Sequence, residues 1–310
     1  MIERAAHTST PHLPVGVLGG RSLVGRFLIP RLVSGGHPVA ACSRWAAPRS
    51  LAGGNPHWCK PGGPLPPGLD TVQTWIAVCP IWATQDWLDW LESVGLERLV
   101  ALSSTSLTTK ADSTDPDERQ LAQRIATAEA AVLDSAARRG FTATVLRPTM
   151  IYDGHTDTNV AAIAACIRRF GRLPLCGPGT GLRQPVHADD VAQACARAAF
   201  HPEPETIYPL SGGEQLSFRE LVERTCRAHG LPPRTMPLPP WLWRLCVAAA
   251  RRAGIASRLS AAAGPRMNEN LVFDHAAARA DLGFSPRPFT IDACPVPDIF
   301  PQHPGKGRIE

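Results

Sequence analysis

The strongest chemical signal is the run Gly19-Gly20-Arg21-Ser22-Leu23-Val24-Gly25. Apolar Val15 to Leu18 precede it, and Leu23, Val24, Phe27, Leu28, Leu32 and Val33 follow at helical spacing. A glycine turn between strand and helix lets a pyrophosphate approach the helix N-terminus, where unpaired amides and the dipole favour anions. Gly25 lets that helix pack closely on its strand. Gly19, Gly20, Arg21, Ser22, Leu23 and Gly25 are therefore the expected dinucleotide contacts. A second strand, Val39 to Cys42, ends in Ser43-Arg44, two further contacts, and no carboxylate occurs between Val39 and Leu69. An acid there would hold a ribose 2′-hydroxyl, whereas Arg44 beside Arg21 suits a 2′-phosphate. The expected cofactor is NADP(H) in preference to NAD(H).

Other polar groups are less telling. His187-Ala188-Asp189-Asp190 does not place its ligands on one helical face, so no metal site is expected. Ser103 and Ser104 lie outside any G-x-S-x-G turn and have no base placed for them, which argues against hydrolase chemistry. Tyr152 is followed closely by Asp153 and His155.

The elements that would position these groups alternate. Strands are expected at Val15 to Leu18, Val39 to Cys42, near His57 to Cys59, Val72 to Val78, Leu99 to Leu102 and Thr142 to Leu146. Helices are expected after the glycine turn and over Trp82 to Val94. Another should start at the cap Asp115-Pro116-Asp117-Glu118 and end at Arg138-Arg139-Gly140. Further helices are expected at Val160 to Phe170, Val191 to Phe200, Phe218 to His229 behind Ser217, and Trp241 to Ala253. The last is amphipathic, suited to covering a substrate cleft or to lying on a membrane surface. The alternation predicts an α/β fold, a Rossmann-type doubly wound parallel sheet with a smaller C-terminal substrate-binding lobe. Residues 14–170 would form the NADP-binding domain, joined by a strand and helix from 183–230. Residues 171–182 and 231–300 would form the lobe, and 1–13 and 301–310 would be flexible tails.

With 310 residues and 44% apolar content, the chain can bury a large core. The formal charge of +5 is carried almost wholly by arginine, with no basic run, so a nucleic-acid partner is not expected. Nine scattered cysteines without a C-x-x-C pair point away from disulfides and zinc and towards a reducing compartment. Without a secretory signal or a long apolar stretch, a cytoplasmic protein with no membrane span is expected.

Four segments in order, with a matching tail, resemble the extended or atypical short-chain dehydrogenase/reductases, the NAD(P)-dependent epimerase/dehydratase group. They are Val17 to Gly25, Leu99 to Thr105, Leu146-Arg147-Pro148-Thr149-Met150-Ile151-Tyr152, and Arg183 through His187 to Ala192. The tail is Phe273-Asp274 to Asp281-Leu282-Gly283-Phe284. The resemblance implies that Thr105 is the active-site hydroxyl, that Pro148 borders the nicotinamide, and that Arg183 contacts a substrate diphosphate, with Arg266 a weaker second. It makes Asp189 or Asp190 a helix cap. It also implies a catalytic tyrosine with a lysine four residues on. Aligned through Glu129, those positions hold Leu121 and Ile125, and neither Tyr152 nor Tyr208 has a lysine four residues on. Leucine and isoleucine cannot move protons. Tyr152 and Thr105 are then the expected catalytic groups.

The expected function is an NADP(H)-binding oxidoreductase or epimerase/dehydratase-like enzyme. Its substrate would be a small or nucleotide-linked carbonyl or hydroxyl compound, with homodimerisation left open. The alternative is a non-catalytic NADPH-binding sensor or assembly protein.

Overall fold

A computed structural model describes residues 13–44, 56–69, 71–252 and 260–292. The two tails fall almost wholly outside the described residues.

Seven parallel strands form the main sheet: β1 (Val15–Leu18), β2 (Val39–Cys42), β3 (His57–Cys59), β4 (Thr74–Ala77), β5 (Arg98–Leu102), β6 (Thr142–Pro148) and, last in the row, Ile207–Leu210. The spatial order runs from that last strand through β6, β5, β4, β1 and β2 to β3. Connections leave β1 towards one edge and β4 towards the other, so a crevice opens at the C-terminal ends of these two neighbours. Central strands are buried on both faces, which explains their unbroken apolar sequences.

Helix α1 (Leu23–Ser34) packs on one face with Ala188–Phe200, around Leu28, Val191 and Cys195. On the other face lie α2 (Ile81–Gln85), α3 (Leu88–Ser93) and, beyond the short α4 (Ser106–Thr109), α5 (Pro116–Arg139). Asp115 caps α5 by accepting from Asp117 N at 2.9 Å, and Gly140 closes it in the left-handed conformation.

The helix expected over Trp82 to Val94 is broken in two. At Trp87 the backbone leaves helical geometry (φ −109°, ψ 2°). The break lets Trp87 pack against Gly62, while Trp90 donates to Gly63 O at 3.1 Å and meets Trp75 edge-on.

The remaining elements are mostly small pairs. β7 (Ile151–Tyr152) precedes α6 (Val160–Phe170), and then come β8 (Leu173–Cys176), β9 (Leu182–Arg183) and β10 (Val186–His187). After α7 (Ala188–Phe200) and β11 (Ile207–Leu210) come β12 (Leu216–Ser217), α8 (Phe218–Ala228), β13 (Thr235–Leu238), α9 (Pro240–Arg252), α10 (Ala263–Arg266) and α11 (Ala276–Leu282). β7 pairs with β10, β9 with β12, and β8 with β13, the last lying in a proline-rich stretch that gives no strand signal in the sequence. Ser217 and Glu220 form a reciprocal capping box on α8. A separate apolar cluster holds these pieces together, including Tyr152, Ile163, Leu221, Trp243 and Phe289.

The cap of α7 is neither Asp189 nor Asp190. His187 Nδ1 accepts from Asp189 N at 3.1 Å. The two carboxylates instead bind arginines: Asp189 meets Arg31 at 2.5 Å and Arg287 at 2.7 Å, and Asp190 meets Arg287 at 2.8 Å. These pairs fasten the C-terminal segment to α7 and α1. Eight cysteines among the described residues are free thiols. Among the described residues no helix is long and apolar enough to cross a membrane, and no cluster suits a metal ion.

Candidate active site

The glycine turn lies at the mouth of the β1–β4 crevice. Gly19 adopts φ +78°, and a Cβ there would stand 2.9 Å from Cys79. A Cβ on Gly25 would stand 2.5 Å from Gly20 O, so this glycine sets the closeness of turn and helix. Gly19 N and Gly20 N both donate to Cys42 O at 3.1 Å, tying the turn to the end of β2. Ser22 stands where the family motif has its middle glycine. It caps α1 by accepting from Gly25 N at 3.1 Å.

A cavity of about 380 Å³ extends from this turn. Ser22, Leu23 and Val24 line one wall, and Cys79 and Pro80 after β4 line another. Leu121 and Ile125 of α5 stand on its far side, at the positions where the resemblance puts tyrosine and lysine. The crevice therefore combines a glycine turn at a helix N-terminus with an apolar surface at the positions where the resemblance puts the proton-moving pair. Arg44 is exposed just past β2, and its charge reaches Cys79 across the crevice; Arg21 is half-buried in the turn and Ser43 is buried.

A second cavity, about 420 Å³, shares Ser103, Ser104, Ser106, Ile151 and Asn159 with the first. It is cationic. Arg183 is 6% exposed, and its guanidinium donates to Leu182 O and Glu269 O at 2.8 Å and to Arg266 O. Burial, followed by the neighbouring Arg266 charge, pulls its pKa down to about 10. Arg266 itself makes a two-pronged pair with Glu118. Lys110 stands 4.0 Å from Glu118, its pKa lowered chiefly by burial. Despite its own burial, Glu118 is held below the ordinary carboxylate range by Arg266 and Ser113. Arg183, Arg266 and Lys110 thus all line this cavity, with Glu118 paired to the last two, which suits it to an anionic ligand.

The structure separates the two expected catalytic groups. Thr105 lines the second cavity with Pro148, but its Oγ1 donates to Pro148 O at 3.3 Å. Tyr152 lines neither cavity. It is fully buried in the separate apolar cluster against His187 and Phe289, accepting from Thr290 N at 3.2 Å. Burial pushes its pKa up to about 12. Strand alternation gives the reason: Ile151 faces both cavities, so the next side chain points to the opposite side of β7. His155 is also turned away, its Nε2 lying 2.8 Å from Asp292 O.

Ser103, set aside on the sequence, sits at the junction of the two cavities. Its Oγ donates to Glu129 Oε2 at 2.6 Å. Glu129 is buried and paired with Arg147, whose Nε lies 3.1 Å from Oε1 and 3.2 Å from Oε2. The sequence held a partial signal: Glu129, 26 residues past Ser103, lies on the buried face of α5. Only the fold turns that face towards the end of β5.

The parallel seven-stranded sheet, its strand order and the glycine turn at the switch point define a Rossmann-type fold. Residues 81–209 match the model of the NAD dependent epimerase/dehydratase family, in keeping with the resemblance read from the sequence. The match begins beyond the glycine turn. No curated protein matches the chain in sequence. Solved structures do. "MoeE5 in complex with UDP-glucose and NAD" is 22% identical with TM-score 0.62, covering 89% of this chain and 94% of that one. UDP-glucuronic acid 4-epimerase from Bacillus cereus, in complex with UDP-glucuronic acid and NAD, is 14% identical with TM-score 0.64, covering 91% and 95%. RMD from Pseudomonas aeruginosa, complexed with NADPH, is 17% identical with TM-score 0.60, covering 90% and 93%. At these identities the likeness establishes the fold.

Proposed function

We propose that this protein is an NADP(H)-dependent oxidoreductase of the epimerase/dehydratase type, acting on a phosphate-bearing, nucleotide-linked hydroxyl or carbonyl compound. The observation that carries this reading is the continuity of the two cavities through Ser103, Ser104 and Ser106. One cavity starts at a helix N-terminus behind a glycine turn, and the other is cationic. A dinucleotide would rest on Gly19 to Val24, and a substrate phosphate would meet Arg183, Arg266 and Lys110. Arg44 and Arg21, with no carboxylate from Val39 to Leu69, support the 2′-phosphorylated cofactor.

The nicotinamide supplies hydride exchange when bound. The chain must then handle the accompanying proton without a tyrosine–lysine pair. Ser103 can accept a proton from a substrate hydroxyl at Oγ while passing its own to Glu129. Arg147 neutralises Glu129 in its charged form. Thr105, with its proton directed at Pro148 O, can accept a hydrogen bond from the substrate.

Fluorescence titration with NADPH and NADH tests the cofactor assignment; tighter NADPH binding is expected, and no saturable binding of either would overturn it. Turnover with UDP-sugars should then fall by roughly 10²–10⁴ in Ser103→Ala, the range of a lost proton-transfer group. The apolar Leu121 and Ile125 favour one second reading, a non-catalytic NADPH sensor or assembly subunit. It predicts tight NADPH binding without turnover on any carbonyl or sugar nucleotide.

A further inference from the structure

Helix α9 has two faces of different character. Trp243 and Val247 are buried in the lobe's core. Trp243 donates Nε1–H to Ala261 O at 3.0 Å, and its ring lies directly over Gly264 of α10. The opposite face is exposed. Trp241, Arg244, Leu245, Ala248 and Arg252 recur at i, i+3, i+4, i+7 and i+11, one stripe along the helix. Trp241 is 63% exposed and Leu245 59%, the two most exposed large apolar side chains of α9.

Charge on this helix has one sign. It holds Arg244, Arg251 and Arg252 and no acid. Arg251 is engaged with Asp117 at 3.5 Å and Asp115 at 3.9 Å, at the start of α5. Arg244 and Arg252 are exposed, Arg244 beside the tryptophan and leucine and Arg252 further along the same stripe. An indole and an isobutyl group flanked by guanidinium groups suit the headgroup boundary of an anionic bilayer, where apolar burial and phosphate contact add together.

We propose that α9 docks the protein on an anionic membrane surface through Trp241 and Leu245, with Arg244 and Arg252 contacting lipid phosphates. Packing inwards and docking outwards use different faces, so the helix does both. Arg266, at the end of α10 against α9, also lines the cationic cavity. Docking would therefore bring the substrate lobe close to phosphate compounds carried by the bilayer. This inference goes beyond the proposed reaction and does not depend on it.

The test is flotation of the full chain with vesicles of phosphatidylcholine alone, or mixed about 7:3 with phosphatidylglycerol. Binding is expected only to the anionic vesicles, and it should weaken steeply between about 0.1 and about 1 M salt. The double variant Trp241→Ser/Leu245→Ser should lose roughly tenfold or more of the bound fraction. Arg244→Gln/Arg252→Gln should lose most of the preference for anionic lipid. Circular dichroism melting and NADPH titration accompany each variant, and both should stay at wild-type values because the changed side chains are exposed. No vesicle binding by the wild-type chain overturns the proposal, as does equal binding to both compositions. A change of molecular mass in solution in the Trp241/Leu245 variant, with vesicle binding intact, also overturns it by assigning the face to a second copy of the chain. Failure of NADPH binding in the wild-type protein would instead count against the proposed function alone.

Discussion

The two adjoining cavities solve different physical problems. The one at the glycine turn has an apolar far wall, and in the proposed function its anion would be met by backbone amides at a helix end. The second is lined by Arg183, Arg266 and Lys110, the last two paired with Glu118. Backbone recognition depends on close approach, so it is vulnerable to a single Cβ. Side-chain recognition depends on charge, so it is vulnerable to truncation and salt. Under the proposed function, one kind of binding can therefore be lost while the other is retained, and variants can establish that separation.

The largest effect is expected from Gly19→Val. A β-branched residue at φ +78°, with Cys79 2.9 Å from its Cβ, cannot keep the turn. NADPH affinity should fall by roughly two orders of magnitude or more, since a strained turn of about 1–3 kcal/mol adds to lost amide contacts. Binding of UDP-glucose, followed by calorimetry, should change little; parallel loss of both ligands would mean that the cavities act as one.

The converse variant is Arg266→Met with Glu118→Leu. Removing both partners avoids leaving one charge buried alone. UDP-glucose affinity should drop about tenfold or more, the scale of a lost charged pair, while NADPH affinity holds. Unchanged UDP-glucose binding would remove the phosphate from this cavity.

A smaller effect concerns the seam between β10 and α7. Burial, then Arg287, lowers the His187 pKa below its ordinary 6.5. The unfolded chain therefore takes up this proton first as pH falls. The stability present above pH 6.5 is lost as the solution is acidified below it. His187→Asn keeps a capping side chain and removes the titration. Its thermal midpoint should be flatter between about pH 7 and 5 than that of the parent. An unchanged slope would assign the acid sensitivity elsewhere.

The smallest effect is expected at Tyr152→Phe. One hydrogen bond to Thr290 N disappears, worth about 1 kcal/mol of stability. Turnover should be unaffected, because Tyr152 is fully buried and lines neither cavity. A large fall in kcat with normal melting would restore Tyr152 to the reaction.

Signals confined to a few neighbouring residues were legible in the sequence. The turn at Gly19 to Gly25, the cap at Asp115 and the cap at Ser217 arise from adjacent backbone groups, and all three occur in the structure. The break at Trp87 was not legible, because it depends on Gly62 and Trp75 arriving from elsewhere. Nor was the burial of Tyr152, since a two-residue strand gives no periodicity to show which side chain faces the cleft.

By itself the sequence determined the alternation of strands and helices as far as β6, the place of the glycine turn and the lack of a tyrosine–lysine pair. These follow from local hydrophobic periodicity and from residue identity. Tertiary structure alone decided that Ser103 meets Glu129, 26 positions away, and that Glu118 meets Arg266, 148 positions away. No local spacing encodes such contacts, because they exist only once packing the apolar faces of the helices brings distant polar side chains to a common wall.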